Sequence, residues 1–331
     1  MSKRVELRVF DNSNDSENFE LQSERVFEPM WDLKYGENPQ QAAMAFKTDG
    51  MADFEVLNGE SLSYNEIMGV TEIANIVSEF FDVCAVTIVK HAAPCGVALG
   101  YNVAEAYTKA FDCDPVASFF GAIGASQKIN FEVAKHINSM SVKLVFAPDY
   151  DKDAIALLKD NPLIKVVKLN TPLREYRSLI QKDIHVTPFG TLYQDFNNSY
   201  LGKNSFQIVT KKKPTKEQIE DAVFAWKISK YARSNSIVVA KDFKTSAIAQ
   251  GHVSPLTAVE DAMKWACDNG KDAVMASDNT LPTVDCIQLA AQSRISMIIQ
   301  PGGSMNAESM IELADRYNIA MVFTGIKNYK H

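Results

Sequence analysis

The sequence predicts an α/β protein made of two three-layer α/β/α units. Short apolar, β-branched runs of strand length alternate along the chain with segments of helical periodicity. Several of these runs end in polar or glycine-containing turns, where open α/β sheets bind their ligands. The chain has 331 residues, of which 46% are hydrophobic and 23% charged. That length is enough for about two such units.

The first unit is expected over residues 28–205, after a polar, acid-rich extension (residues 1–27) that we interpret as mobile or looped. A turn-rich loop follows at residues 33–41, where Gly36 and the Asn38-Pro39 pair break regular structure. The pattern then predicts, in order, a helix at 70–80, a buried parallel strand at 85–89, a helix at 102–111 capped by Asn102, a strand at 142–147, a short helix after Asp151, and a strand at 164–169.

Residues 170–205 are polar and are expected to be irregular, too long for a simple connection. The second unit is expected over residues 206–331. Thr215 and Gln218 form a capping box before an amphipathic helix. Strands are predicted at 237–240, 273–276, 296–299 and 319–323, so this half repeats the architecture of the first without an alignable sequence repeat.

Lys90 and His91 end the apolar run 85–89, and we expect the chemistry there. Taken alone, the pair is equally consistent with a strand end fraying into solvent. The segment His91-Ala-Ala-Pro-Cys-Gly96 resembles part of a zinc-deaminase motif. Zinc is not expected, because position 93 is alanine rather than the required glutamate and Cys95 has no partner three residues on.

Composition excludes several classes of protein. The net charge of −7 argues against a nucleic-acid binder. No apolar run reaches the roughly 18 residues of a membrane span, and the amino terminus lacks the apolar segment of a secretory signal. Five scattered cysteines without metal-ligand spacing fit a reducing cytoplasm. We therefore expect a cytoplasmic protein with small-molecule ligands.

Nine short motifs in one order resemble the transformylase domain of the bifunctional purine-biosynthesis family over nearly all of residues 28–331. They are Leu33-Lys-Tyr-Gly-Glu-Asn-Pro39, Leu62-Ser-Tyr-Asn65, Lys90-His-Ala-Ala-Pro-Cys-Gly96, Asp114-Pro115, Lys213-Pro-Thr215, Ser234-Asn-Ser236, Ser277-Asp278, Gln300-Pro-Gly-Gly-Ser304 and the terminal His331. The family's cyclohydrolase domain, which normally precedes this one, is not expected within the chain.

The resemblance implies two cytidine-deaminase-like α/β/α subdomains, an intertwined homodimer with sites at the subunit interface, and no metal. The implied reaction is formyl transfer from 10-formyltetrahydrofolate to the amine of 5-aminoimidazole-4-carboxamide ribonucleotide. The implied catalytic residues are Lys90, His91 and Asn235. The positions matching substrate contacts are Lys34, Tyr35, Gly36, Lys143 and Lys327, and those matching folate contacts are Phe119, Pro255, Leu256, Thr280, Pro282, Asp285 and Ser304.

The residues themselves suit this chemistry. The amine of an aminoimidazole carboxamide is a poor nucleophile, so a base such as His91 must take its proton during attack. Lys90 could protonate the departing folate nitrogen, and Asn235 could donate a hydrogen bond to the formyl oxygen.

The binding positions depart from the family pattern. Lysines replace arginines at 34 and 327, Lys143 replaces an acid, and Gln40 replaces a histidine. The aromatic folate loop has become Thr280-Leu-Pro-Thr-Val-Asp285, and a glycine-rich segment has become residues 247–255. Two functions therefore stay open: a folate-dependent formyltransferase, acting on the purine intermediate or on another amine, and a non-catalytic protein that binds nucleotide or folate.

Overall fold

The structure is a computed structural model that describes residues 5–11, 20–48, 50–179, 182–202 and 205–331. The strands are β1 (Val5–Asp11), β2 (Glu20–Leu33), β3 (Ala43–Thr48), β4 (Phe54–Asn58), β5 (Ala85–Lys90), β6 (Ala93–Leu99), β7 (Ala122–Ala125), β8 (Leu144–Ala147), β9 (Lys165–Leu169), β10 (Lys182–Thr187), β11 (Gly190–Asp195), β12 (Gln207–Ile208), β13 (Ile237–Lys241), β14 (Lys244–Ala249), β15 (Val274–Ser277), β16 (Met297–Gln300) and β17 (Ala320–Phe323). The helices are α1 (Tyr64–Ser78), α2 (Val103–Phe111), α3 (Pro115–Ser118), α4 (Phe131–Ser139), α5 (Lys152–Lys159), α6 (Leu173–Leu179), α7 (Lys216–Ser229), α8 (Pro255–Ala266), α9 (Val284–Gln292) and α10 (Ala307–Arg316).

A twelve-stranded sheet runs through the molecule in the order β12-β17-β16-β15-β13-β14-β6-β5-β7-β8-β9-β4. Its two halves meet where β14 pairs antiparallel with β6. Outward from this junction, each half contains first a hairpin, β5–β6 or β13–β14. Next come three strands, β7–β9 or β15–β17, that are parallel to one another. This matched strand order confirms that the second half repeats the architecture of the first.

At one end of the strands of this sheet, called the site edge below, segments from both halves meet. The turn between β5 and β6 lies there, because β6 begins beside the end of β14. β14, β15, β16 and β17 all end at this edge, since both β14 and β15 pair antiparallel with β13. The starts of β7 and β8 also lie there, since Ala122 pairs with Val89 and with Leu144.

Helices cover both faces and complete three layers. On one face, α1 and α7 bury side chains such as Ile73 and Trp226 in a core that receives residues from both halves. On the other face, α2, α4 and α5 cover one apolar cluster, while α8, α9 and α10 cover a separate one. The shared core explains how the halves hold together, since apolar burial is the main stabilising contribution. The boundaries 28–205 and 206–331 and the cytidine-deaminase-like character of each half stay predictions.

The prediction of a parallel central strand was wrong. Residues 85–89 of β5 are buried as expected, but the strand pairs antiparallel with both β6 and β7. Pro94, Gly96 and Gly100 predict a turn that leads into the helix capped by Asn102, but Pro94 and Gly96 lie within strand β6, and only Gly100 lies between that strand and the cap of α2. A run of apolar residues reports burial on both faces but does not report strand direction.

Two stretches expected to be irregular contain regular structure. Residues 5–11 and 20–33 of the amino-terminal region form the antiparallel pair β1–β2; residues 1–4 and 12–19 lie outside the described part. The stretch 170–205 contains α6 and the hairpin β10–β11. Within the described ranges, no helix combines the length and the apolar character needed to cross a bilayer.

Candidate active site

Lys90 and His91 lie at a tight hairpin turn. Lys90 ends β5 opposite Ala93, which leaves His91 and Ala92 as the two-residue loop. Both loop residues are in the left-handed region, with φ of 54° and 53°, as a type I′ turn requires. Asn-Gly is the usual sequence at such a turn, and alanine there costs about 1–3 kcal/mol. The turn places His91 in solvent while Lys90 stays half-buried.

Asn235 reaches the same edge from the second half. The Gln250 side chain donates to the carbonyl oxygen of Pro94 (2.7 Å), which joins the end of β14 to the Lys90 hairpin. The backbone N–H of Asn235 donates to the carbonyl of His252 at 3.0 Å, two residues farther along. The structure therefore brings Lys90, His91 and Asn235 to one edge, as the sequence predicted only through the resemblance.

The Asn235 amide is oriented by its neighbours. Its Nδ2 donates to the carbonyl of His252 (2.9 Å) and makes a longer contact with that of Val253 (3.4 Å). Its Oδ1 accepts from Asn279 Nδ2 at 3.4 Å. An amide nitrogen carries two hydrogens. The hydrogen that makes the long contact with the Val253 carbonyl is the one that can be donated to a ligand oxygen instead.

The loop carrying Lys34, Tyr35 and Gly36 is fixed to the start of α1. Gly36 is buried, and its N–H donates to the carbonyl of Gln41 (2.7 Å). Asn65 Nδ2 donates to the carbonyl of Glu37 (3.0 Å). The capping box of Ser63 and Glu66 begins α1 at this point, so the loop is held at the site edge by the helix start. Lys34 itself is exposed, with Nζ 5.9 Å from the Tyr35 ring centre.

Lys143 precedes β8 at the site edge, where β7 separates it from the end of β5. Its N–H donates to the carbonyl of Gly121 (3.1 Å), and a Cβ at Gly121 would come within 3.2 Å of the Val89 carbonyl. The Lys143 ammonium is 5.8 Å from the centre of the Phe120 ring. Phe119 and Phe120 are 45% and 58% exposed, which leaves two aromatic faces beside Lys90 for a flat ligand.

The predicted folate positions follow three strand ends at the site edge. Pro255 and Leu256 begin α8 after β14. Thr280, Pro282 and Asp285 lie between β15 and the first turn of α9, and Ser304 follows β16. Thr280 Oγ1 donates to the carbonyl of Gly302 (2.6 Å), and Asn306 Nδ2 donates to that of Pro282 (2.9 Å). These hydrogen bonds join the loop after β15 to the loop after β16, so the two loops form one continuous surface.

The carboxyl-terminal segment closes this surface. Asn328 N–H donates to the carbonyl of Asp278 (2.8 Å), and Lys330 N–H donates to Ser234 Oγ (3.1 Å). Lys330 Nζ holds both oxygens of Glu72 at 2.7 and 2.8 Å. Burial raises the pKa of Glu72, while the charge of Lys330 opposes that effect. The segment is thereby fixed, and Lys327 stands exposed within it, 5.4 Å from the Tyr329 ring.

Besides Lys330, whose ammonium binds Glu72, the lysines at the site edge include Lys34, Lys90, Lys143 and Lys327. These four suit an anionic ligand, although the net charge of the chain is −7. Cys95 is unsuited to nucleophilic or metal chemistry, since burial raises the pKa of its thiol to about 12. Among the described residues, no group of three or more His, Cys, Asp or Glu side chains could hold a metal ion.

Sequence reasoning missed the residues that support the site. Asn65, Gln250 and Asp278 lie in motifs or segments named above, but no role was predicted for them. The available signal was the position of Asp278 directly after a buried strand. The bonds from Asn65 and Gln250 join segments 28 and 156 residues apart, so no local pattern reports them.

The family model described as "AICARFT/IMPCHase bienzyme" matches residues 6–265. The chain belongs to this family. It is 38% identical over 314 residues to a bifunctional purine biosynthesis protein PurH of Acetivibrio thermocellus, which covers 92% of this chain and 60% of the relative. PurH of Clostridium botulinum is 40% identical over 304 residues (91% and 59% covered), and that of Dictyostelium discoideum is 36% identical over 332 residues (96% and 61% covered).

The chain thus spans about 60% of the length of these curated relatives. The family match confirms the resemblance seen in the nine motifs and agrees with the large mixed sheet flanked by helices.

Proposed function

We propose that this chain transfers the formyl group of 10-formyltetrahydrofolate to the amine of 5-aminoimidazole-4-carboxamide ribonucleotide. The supporting observation is that Lys90 and His91 from one half and Asn235 from the other share one edge of the sheet. This set matches the requirements of acyl transfer: a base, an acid and an oxyanion donor. Membership of the family supports this choice of donor and acceptor.

In the proposed mechanism, His91 takes a proton from the acceptor amine as its nitrogen attacks the formyl carbon. The carbonyl oxygen becomes an oxyanion, to which the Asn235 amide donates. The bond from that carbon to the folate nitrogen then breaks, and Lys90 protonates the departing nitrogen. The products are tetrahydrofolate and the formylated amine, so atoms and electrons balance.

The remaining positions are assigned to binding. Lys34 and Lys327 would hold the nucleotide phosphate, with Tyr35 and Gly36 beside it and Lys143 at the far side of Lys90. The folate would lie across the residues that follow three strand ends and the exposed ring beside Lys90: Phe119, Pro255, Leu256, Thr280, Pro282, Asp285 and Ser304.

A second candidate is a formyltransferase that uses another amine, or a non-catalytic homologue that binds nucleotide or folate. The specific observation is Lys143, which adds positive charge beside Lys90 where the family pattern has an acid. The change of the aromatic folate loop to residues 280–285 favours the same alternative.

Mixing the protein with 10-formyltetrahydrofolate and the purine acceptor separates these candidates. We expect tetrahydrofolate to form, which its absorbance reports. Product with a different amine but not with the purine acceptor would favour a changed acceptor. Binding of either compound without turnover would favour the non-catalytic homologue.

Restoring arginine at positions 34 and 327 is expected to tighten nucleotide binding. A guanidinium grips phosphate with two parallel hydrogen bonds, whereas an ammonium acts as a point charge. Calorimetry of the double Lys→Arg variant should show a lower Kd than wild type, and Lys128→Arg, whose ion pair is with Asp151, should leave it unchanged. No heat with the nucleotide for either protein would mean that the acceptor has changed.

We further propose a homodimer, with the hairpin β10–β11 as the arm that reaches the second subunit. Among the described strands, β10 and β11 pair with each other and with no third strand, and Val186, Phe189 and Leu192 are 83%, 101% and 62% exposed. We expect analytical ultracentrifugation to find dimers at micromolar concentration and replacement of these three residues by serine to favour monomers. Serine at Tyr101, another fully exposed aromatic, is the control. Wild type that sediments only as a monomer would contradict the proposal.

A further inference from the structure

We propose that Asp278 is a positioning residue that holds Asn235 in place by binding the residues on both sides of it. The inference rests on the role proposed for Asn235. Asp278 follows β15 at the site edge and belongs to a sequence motif to which no function was assigned.

The contacts of Asp278 enclose the Ser234-Asn235-Ser236 segment. Its Oδ2 accepts from Ser234 Oγ (2.5 Å), and its Oδ1 accepts from Ser236 N–H (2.8 Å). Its own N–H contacts the Ser236 carbonyl at 3.4 Å. Asn279, the next residue, donates to Asn235 Oδ1. A displacement of Asp278 would therefore move Asn235 through its backbone and through its side chain.

The hydrogen bond from Ser234 has a defined direction. Ser234 Oγ accepts from Lys330 N–H and donates its single hydrogen to Asp278, because an ionised carboxylate can only accept. Asn at 278 has one oxygen for the two donors, Ser234 O–H and Ser236 N–H. With that oxygen on Ser236, the amide N–H faces Ser234 Oγ, which must turn its hydrogen away, so the charge-assisted hydrogen bond to Asp278 is lost without a change in side-chain volume.

Burial of the Asp278 carboxylate is unfavourable in free energy. Asp278 is 1% exposed, and burial raises its pKa, while hydrogen bonds from Ser234 and Ser236 work in the opposite direction. A buried carboxylate destabilises the fold unless its partners compensate. Two partners that flank one catalytic candidate provide that compensation here.

The chain contains a matched control in Asp221 on α7. Its carboxylate accepts the N–H groups of Asp242 (2.9 Å) and Phe243 (2.8 Å), the turn of the β13–β14 hairpin at the opposite edge. It is 7% exposed, and burial raises its pKa as well. Both aspartates thus stabilise a backbone turn, but only Asp278 borders Asn235.

The test compares Asp278→Asn, Asp221→Asn, Ser234→Ala and the double variant Ser234→Ala/Asp278→Asn. We expect both aspartate variants to lower Tm. Of the two aspartate variants, only Asp278→Asn should lower kcat, by about 100-fold for a displacement of roughly 1 Å, with KM within about twofold. The double variant should be no slower than Asp278→Asn alone, because both changes remove the same hydrogen bond between Ser234 and Asp278.

Equal kcat values for Asp278→Asn and Asp221→Asn, or additive effects in the double variant, would overturn the inference. If Asp278→Asn does not fold, Ser234→Ala carries the same test. If wild type shows no turnover, the proposed function fails instead, and hydrogen exchange decides the positioning role. We expect faster exchange of the Asn235 and His252 backbone amides in Asp278→Asn and not in Asp221→Asn; unchanged exchange would refute it.

Discussion

Lys90→Met and His91→Ala are each expected to reduce turnover by about 10²–10⁴-fold, the range typical of a lost general acid or base. Lys90 is at the end of a strand and His91 in solvent at the turn, so the fold should survive both changes. Steady-state formyl transfer by the purified variants, with circular dichroism to confirm folding, measures the effect.

The second hairpin supplies the control for this experiment. Lys241 ends β13 as Lys90 ends β5, and the two residues after it are also left-handed, with φ of 52° and 55°. The β13–β14 turn lies at the opposite edge, so Lys241→Met should leave turnover unchanged. Near-wild-type turnover in either pure site variant would remove the role assigned to that residue.

Glu79→Gln is expected to lower the free energy of unfolding by about 3–5 kcal/mol, the cost of breaking a buried ion pair. The Glu79 side chain is 3% exposed and that of Lys230 is 1% exposed. Lys230 Nζ (2.8 Å), Tyr231 OH (2.7 Å) and Arg177 all bind this carboxylate. The variant leaves the Lys230 charge buried without its counter-ion, and the network joins α1 to α6 and α7.

Urea unfolding measures this loss, and Asp151→Asn, which removes an exposed ion pair with Lys128, should cost less than about 1 kcal/mol. Burial alone would raise the pKa of Glu79, but Lys230 and Arg177 outweigh it and lower the pKa below 4.5. The stability due to the ionised group is therefore present above pH 4.5 and lost as pH falls through the folded-state pKa. The difference between wild type and variant should shrink in acid; a constant difference would contradict this.

Much of the local structure was predictable. The caps at Asn102 and Thr215 were confirmed, and the expected strands at 142–147 and 319–323 agree with β8 and β17 within two residues at each end. The errors concern strand direction and pairing. β6 and β14 were missed. In β6, Pro94 and Gly96 are typical of turns rather than of strand interiors, and the strand is held between its hairpin partner β5 and the distant β14.

The sequence by itself determined the family and the alternation of helices and strands, and it supplied Lys90, His91 and Asn235 as candidate reactive residues. These follow from local periodicity, capping signals and the order of short motifs, all of which are properties of neighbouring residues. Only the tertiary structure decided that β5 pairs antiparallel with β7, that the halves join through β6 and β14, and that Asp278 binds the residues on both sides of Asn235. The physical reason is that these features depend on hydrogen bonds between segments dozens of residues apart, and local pattern carries no information about which distant segments will meet.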